Sequence, residues 1–337
     1  MSNTRRTLRI GVIGAGRMGK SQTDLLWEMD GVAVTAACDL LPERAQAMAA
    51  AWGGRAYTDY EQMLATEELD GVYVCTPTHL HGDPALAVVE AGVPLFLEKP
   101  VELDLAKAGR LLRASESRGV PVCVALHWRY TKGHEAAAWL MEDKPVAMVN
   151  LRWYWTRPPV RWMWEREKAG GQIVDQNIHL IDLAQSLVGE IESVFAFYNC
   201  QQTNFDEGFD NWDGYAVNFR HKSGAVGLCA GTYSLFPEIQ VGPSADFALR
   251  DELIRVTNQG AARFSKEGVE EWQNEGPFRL GVNAAFIEAI RTGNPSAIRS
   301  DLAAGIRSTA AALAANHSAQ TGEVVNLDDF IRERAGL

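Results

Sequence analysis

Residues 8–19 read Leu-Arg-Ile-Gly-Val-Ile-Gly-Ala-Gly-Arg-Met-Gly, and they decide the fold. A short apolar run ends in Gly14-Ala15-Gly16-Arg17-Met18-Gly19, a GxGxxG pattern, and helical spacing continues to Met29. Gly14 suits a tight turn, Gly16 lets the backbone approach a pyrophosphate, and Gly19 lets the helix sit close to the strand. At the helix N-terminus, Gly16, Arg17 and Met18 offer backbone N–H groups and a partial positive charge to an anion. The pattern alone is weak; between a strand and a helix it marks a dinucleotide-binding unit. Asp39 follows Gly19 by 20 residues, at the end of the strand-like run 32–38. A carboxylate there accepts hydrogen bonds from the adenosine ribose and repels a 2′-phosphate, so the expected cofactor is NAD rather than NADP.

Outward from this stretch, strand and helix patterns alternate. Residues 32–38, 71–75, 93–97 and 120–126 are buried-strand candidates, with helical stretches at 42–52, 81–91 and 104–118. Such alternation implies a parallel sheet covered by helices on both faces. Thr76 and Pro77 follow the 71–75 strand, where strand ends line the crevice of such folds, so they are candidate cofactor contacts; an ordinary turn is the rival reading. After about residue 127 the pattern changes. A helix over 131–141 leads to a strand over 146–155, an aromatic loop over 156–171 and a helix over 172–188. Alternating runs follow at 191–201, 212–220, 225–233, 245–250 and 253–257, with hairpin turns at Ser223-Gly224 and Asn258-Gln259-Gly260. Two late helices, 282–291 and 302–320, close the chain. The expectation is an α/β protein with a Rossmann domain over 1–126. An α+β domain with a large, mostly antiparallel open sheet is expected over 127–337.

A chain of 337 residues exceeds one compact core and suits two domains. Its net charge of −11 argues against polyanion binding, so no nucleic-acid partner is expected. No run reaches the length of a membrane span, and the apolar run 8–13 is too short for a secretory signal. Cys38, Cys75, Cys123, Cys200 and Cys229 form no CxxC pair. They read as small hydrophobes in a reducing compartment, which points to the cytoplasm.

Two further motifs carry chemistry. Glu98-Lys99-Pro100 follows the 93–97 strand directly. Asp175, His179 and Asp182 are spaced i, i+4 and i, i+3, which places them on one face of the 172–188 helix. A solvated helix face is the plain alternative. Hydride transfer from an alcohol leaves a proton that needs an acceptor, and histidine titrates near neutrality. A lysine beside a cationic nicotinamide stabilises a developing alkoxide. Asp182 reads as structural.

With Thr76-Pro77, His81, Gly170-Gly171 and the stretch from Phe286 to Gly293, these motifs make the chain resemble the glucose–fructose oxidoreductase / inositol dehydrogenase / MocA family over nearly its whole length. The resemblance implies a Rossmann domain joined to a C-terminal α/β domain whose open sheet mediates dimers or tetramers. It implies that Lys99 contacts both the nicotinamide ribose and the reacting hydroxyl. It makes His179 the general acid/base and Asp175 a support for the substrate or for that histidine. It adds His81 and Glu98 to the cofactor-binding set and makes the Lys99–Pro100 bond commonly cis. The implied activity is an oxidoreductase acting on a hydroxyl-bearing carbon of a sugar, cyclitol or related polyol. One departure is Asn177, where the family more often has Gly; it bears on the local backbone and on substrate orientation.

Other substrate-binding candidates are weaker. Arg129, in His127-Trp128-Arg129-Tyr130, reads equally as a substrate or cofactor contact and as half of an interdomain ion pair. Trp155 and Trp162 offer indole faces for sugar stacking, and Arg157 offers a fork for a carboxylate; core or subunit-interface packing explains them as well. His79 and His81 lack further metal-ligand spacing, so no metal is expected. Two other functions share these residues: a redox-neutral NAD-dependent glycosidase or epimerase, and a dinucleotide-sensing regulator without catalysis.

Overall fold

The computed structural model describes residues 6–201, 206–239 and 241–337. The chain divides into two compact units, Met1–Ala125 with Arg279–Ala303, and Leu126–Phe278 with Ala304–Leu337. A single cut after residue 126 does not capture the return of 279–303 to the first unit. The cause is a core contact. Phe286, fully buried, sets its ring edge-on against Tyr73 and Phe96 at 5.4 and 5.6 Å, so this late helix completes the first unit's core.

The first unit runs β1 (Leu8–Ile13), α1 (Arg17–Trp27), β2 (Val32–Cys38), α2 (Pro42–Trp52), β3 (Arg55–Tyr57), α3 (Tyr60–Thr66), β4 (Gly71–Val74), α4 (Gly82–Glu90), β5 (Leu95–Leu97), α5 (Leu105–Arg118) and β6 (Val122–Val124). Among the described residues its sheet has six parallel strands in the order β3-β2-β1-β4-β5-β6. Ile10, Val12, Val34, Val72, Val74, Leu95 and Leu97 are buried, as a sheet covered on both faces requires. The strand order reverses between β1 and β4, and their C-terminal ends form the crevice where such folds bind ligands. The sequence reading did not include β3 and α3. β3 is three residues long and half polar, and α3 depends on the Asp59 carboxylate accepting from the N–H groups of Glu61 and Gln62.

The chain continues with α6 (Lys132–Met141), β7 (Met148–Tyr154), α7 (Arg166–Ala169), a π-turn (Ile173–Asn177) and α8 (Ile178–Val188). Next come β8 (Ile191–Asn199), β9 (Gly214–His221), β10 (Val226–Thr232), β11 (Gly242–Ala248), β12 (Leu253–Thr257), β13 (Gly260–Ser265) and β14 (Gly268–Gln273). The helix α9 (Leu280–Thr292) belongs to the first unit, and α10 (Leu302–Thr321), β15 (Val325–Asn326) and α11 (Leu327–Ala335) end the chain. The described strands form a nine-stranded sheet in the order β14-β13-β12-β11-β7-β10-β9-β8-β15, antiparallel except for β7 beside β10. One face is buried, with Val149, Leu151, Val217, Cys229 and Phe247 pointing into the core where α8 packs. Among the described residues, no helix is long and apolar enough to cross a membrane. All five cysteines are unbridged, and only Cys200 is exposed.

Candidate active site

In the first unit the glycine turn is set by close backbone contact. Gly14 takes φ +96°, and a Cβ there would stand 2.6 Å from the Cys75 carbonyl carbon. A Cβ at Gly19 would stand 2.0 Å from the Gly14 oxygen. Gly16 heads α1 without a side-chain cap, and a Cβ there would meet only Arg44 Nη1, at 3.9 Å. The N-terminus of α1, with Arg17 exposed and Met18 half-buried, therefore opens onto room for an anion. Asp39 braces the turn: Oδ2 accepts from Ala15 N at 2.8 Å and Oδ1 from Leu41 N at 3.0 Å. Each carboxylate oxygen keeps lone-pair capacity for ribose hydroxyls. These groups fit a dinucleotide. Arg44 was not among the sequence candidates, although a cation in the first turn after β2, five residues beyond Asp39, is a readable signal. Burial, with Asp59 and Asp39 nearby, pushes the Cys38 thiol up to about 11, so Cys38 is a neutral wall rather than a nucleophile.

Glu98-Lys99-Pro100 leaves β5, and the Lys99–Pro100 bond is cis. The Glu98 N–H donates to Val74 O at 3.0 Å. Its buried carboxylate accepts from Gln22 Nε2 at 2.6 Å, and Gln22 Oε1 accepts from Asn283 Nδ2 at 2.9 Å. His81 is buried with both ring nitrogens against backbone carbonyls, Nδ1 2.7 Å from Pro100 O and Nε2 2.9 Å from Thr76 O. Burial holds its pKa below the usual histidine value, while the two carbonyls and the carboxylates of Glu98 and Glu102 act in the other direction. His81 thus braces the chain; its ring nitrogens are not available to a cofactor, which corrects the reading of His81 as a contact. Thr76 and Pro77 are half-buried at the end of β4, with the Thr76 hydroxyl donating to Leu80 O at 3.0 Å.

In the second unit, Gly170 and Gly171 take φ +74° and +85°, end α7 and lead into the π-turn. The regular-helix reading of 172–188 is corrected here, because the extra residue of a π-turn shifts Asp175 around the axis relative to α8. Nor is there a solvated face: every residue from 172 to 185 is buried. Asp175, 8% exposed, accepts from the Tyr233 hydroxyl at 3.3 Å. Burial and the Asp175 charge raise the Tyr233 pKa well above its usual value, which keeps it a donor. His179, 5% exposed, has the His127 ring 4.3 Å away and the Trp153 ring 6.3 Å away, centroid to centroid. Tyr233 and His127 come from remote segments and have no spacing relation to His179 that a sequence reader would notice.

Asp182 is fully buried and structural, as expected. It binds Arg129 through both oxygens, at 2.8 Å to Nε and 2.7 Å to Nη2, and also accepts from Ser308 Oγ at 2.9 Å. Arg129 is therefore half of an ion pair within the second unit rather than between domains. Arg157 pairs with Asp206, which follows β8, and lies 5.1 Å over the Trp164 ring of its own loop. Trp155 is half-buried, its backbone N–H donating to Thr232 O at 2.9 Å, and Trp162 is half-buried in the turn Arg161–Trp164. Asn177 has ordinary helical angles, φ −67° and ψ −12°, so no glycine-only backbone is needed there. Its buried amide donates to the Tyr215 hydroxyl and to Ala230 O.

Comparison with known proteins agrees with this layout. The oxidoreductase family with an NAD-binding Rossmann fold, GFO/IDH/MocA, matches residues 8–126, and the GFO/IDH/MocA C-terminal domain matches residues 145–240. The myo-inositol 2-dehydrogenase of Thermotoga maritima is 25% identical over 86% of this chain and 90% of its own length. The inositol 2-dehydrogenase of Rhizobium meliloti is 29% identical over 55% of this chain and 56% of its own. The WlbA dehydrogenase from Bordetella pertussis, solved in complex with NADH and UDP-GlcNAcA, is 25% identical. It superposes with a TM-score of 0.82 over 95% of this chain and 99% of its own. The Rossmann-fold family match spans the glycine turn and Lys99, and the C-terminal-domain match spans Asp175 and His179. The chain belongs to the GFO/IDH/MocA family and is an oxidoreductase with NAD as its cofactor.

Proposed function

We propose that the protein moves a hydride between NAD and a hydroxyl-bearing carbon of a sugar, cyclitol or related polyol. The observation that carries this reading is the buried pair His179 and Asp175 in a chain whose other unit holds a dinucleotide cradle. Bound NAD supplies the hydride acceptor. In the oxidising direction His179 takes the hydroxyl proton, and the Lys99 ammonium steadies the charge that grows on oxygen. Asp175, held by Tyr233, favours the imidazolium that forms. Gly14, Gly16, Arg17, Met18, Gly19, Asp39, Thr76 and Pro77 hold the cofactor, with Arg44 beside the anionic part and Asp39 excluding a 2′-phosphate. Trp155 and Trp162 offer faces to the substrate, while Arg129 acts through Asp182 on α8. Relatives named as inositol dehydrogenases support the polyol class.

In this reading the protein is cytoplasmic, residues 1–126 serve the cofactor and residues 127–337 chiefly the substrate and assembly. It forms a homodimer or homotetramer through the open face of the nine-stranded sheet. Met148 and Val226 stand in register there, both about half exposed, and Phe195 meets Phe197 edge-on at 4.8 Å. An apolar patch of this kind calls for a covering partner. The test is to incubate the protein with NAD and a panel of sugars and cyclitols and to follow NADH absorbance. NADH accumulates with at least one polyol if the reading holds. Epimerised or cleaved substrate with no net NADH replaces it with redox-neutral chemistry.

A further inference from the structure

Lys99 stands between two residues that the first unit ties down. Before it, Glu98 is held by its N–H on Val74 O and by its carboxylate in the buried chain Gln22–Asn283, both of these side chains being fully buried. After it, the Pro100 carbonyl meets His81 Nδ1 at 2.7 Å, and the other nitrogen of the same ring meets the Thr76 carbonyl at 2.9 Å. The next turn is pinned in the same place, because Glu102 accepts from Gly82 N at 2.9 Å and from Leu103 N at 2.7 Å. A Cβ on Gly82 would stand 2.4 Å from Glu102 Oε2, so this packing leaves no slack.

We infer that His81 is a positioning residue: its imidazole packs between the Thr76 and Pro100 carbonyls, donates its one N–H to one of them, holds the Lys99–Pro100 turn against the end of β4 and so aims Lys99. Thr76 is itself a proposed cofactor contact, so one ring indexes the lysine against the cofactor floor. The rate penalty for loosening such a clamp is large, since a displacement of about 1 Å in a catalytic group costs on the order of 10²-fold. The inference rests on the proposed role of Lys99 in the reaction.

Three variants test it. His81→Phe keeps a flat ring and removes both nitrogens. His81→Gln restores an N–H donor between the two carbonyls. Lys99→Ala removes the group being aimed. Hydrogen–deuterium exchange of the peptide 98–104, which needs no substrate, becomes faster in His81→Phe and returns toward wild type in His81→Gln. With NAD and myo-inositol, or another polyol that wild type oxidises, His81→Phe lowers kcat about 10²-fold while Kd for NAD, read by protein fluorescence, moves less than about threefold. His81→Gln recovers most of that loss. If His81→Phe does not fold, His81→Leu removes the same ring nitrogens with less bulk and takes its place. Unchanged exchange in 98–104, or wild-type kcat beside a disabled Lys99→Ala, overturns the clamp and leaves the role of Lys99 intact. Wild-type turnover in Lys99→Ala overturns the role of Lys99 itself.

Discussion

The glycine cradle of the first unit and the proposed proton-handling site of the second are built in opposite ways. The cradle is made of backbone: a left-handed Gly14, an uncapped Gly16 and a Gly19 against which no side chain fits, all within six residues, with Asp39 closing the turn. The proposed proton-handling site is made of buried side chains gathered from distant segments. Asp175 comes from a π-turn, His179 from α8, Tyr233 from just beyond β10 and His127 from the turn before α6. Backbone sites tolerate no added volume, whereas side-chain sites depend on donor and acceptor chemistry. Substitutions should therefore separate cleanly, with the cradle governing cofactor binding and choice and the second site governing rate.

The strongest way to break that contrast is His179→Ala. Loss of a general acid/base lowers kcat by about 10²–10⁴-fold. Kd for NAD stays within about threefold, because the cradle lies in other residues. Steady-state kinetics and fluorescence titration of NAD measure the two quantities on one preparation. A loss of NAD affinity as large as the loss of kcat merges the two sites into one binding function. Near-normal turnover instead makes Lys99 the base.

A smaller effect is expected from Asp39→Ser, which probes the cradle alone. Two unit charges about 4 Å apart repel by about 1–4 kcal/mol between water-like and protein-surface dielectrics. That corresponds to a preference for NAD over NADP of roughly fivefold to several hundredfold. Removing the carboxylate lowers the NAD/NADP ratio of kcat/KM by about tenfold or more. NAD affinity also weakens, because Ala15 N loses its acceptor. A ratio that does not move locates cofactor choice elsewhere, with Arg44 the first residue to examine.

This contrast also explains what the sequence showed and what it hid. Glycines required by backbone contact are fixed in type and spacing, so 8–19 and Asp39 could be read directly, and so could the apolar strands of a sheet buried on both faces. β3, β14 and α11 were missed because they are short, polar or dependent on a cap such as Asn326 on Asp329 N. Asp175 and His179 were singled out through spacing and the family resemblance, yet spacing supplied the wrong helix, since nothing local in Ile173–Asn177 announces a π-turn. His81 was placed on the cofactor by the family resemblance alone. Its ring turns inward because two carbonyls await it there. Arg157 was read as a fork for a carboxylate and Arg129 equally as a ligand contact and as half of an ion pair; their partners Asp206 and Asp182 lie about fifty residues further along the chain.

The smallest predicted effect sharpens the contrast at a single position. Asn177, which the family resemblance sets against a glycine, ends the π-turn with φ −67° and ψ −12°, so Asn177→Gly changes side-chain chemistry without forcing a new fold. The loss has two parts. The buried amide no longer donates to Tyr215, a bond worth about 1 kcal/mol net. Glycine within a helical turn costs up to about 1 kcal/mol through its greater freedom in the unfolded chain. The sum, about 2 kcal/mol, lowers Tm by several degrees at about 2–4 °C per kcal/mol. Because the amide faces Tyr215 and the β10 backbone, kcat stays within about threefold of wild type. Calorimetry and kinetics on the same sample give both numbers. A fall in kcat that approaches the His179→Ala loss, with Tm unchanged, would mean that this amide belongs to the chemistry. The departure from glycine would then mark what distinguishes this enzyme's substrate from those of its relatives.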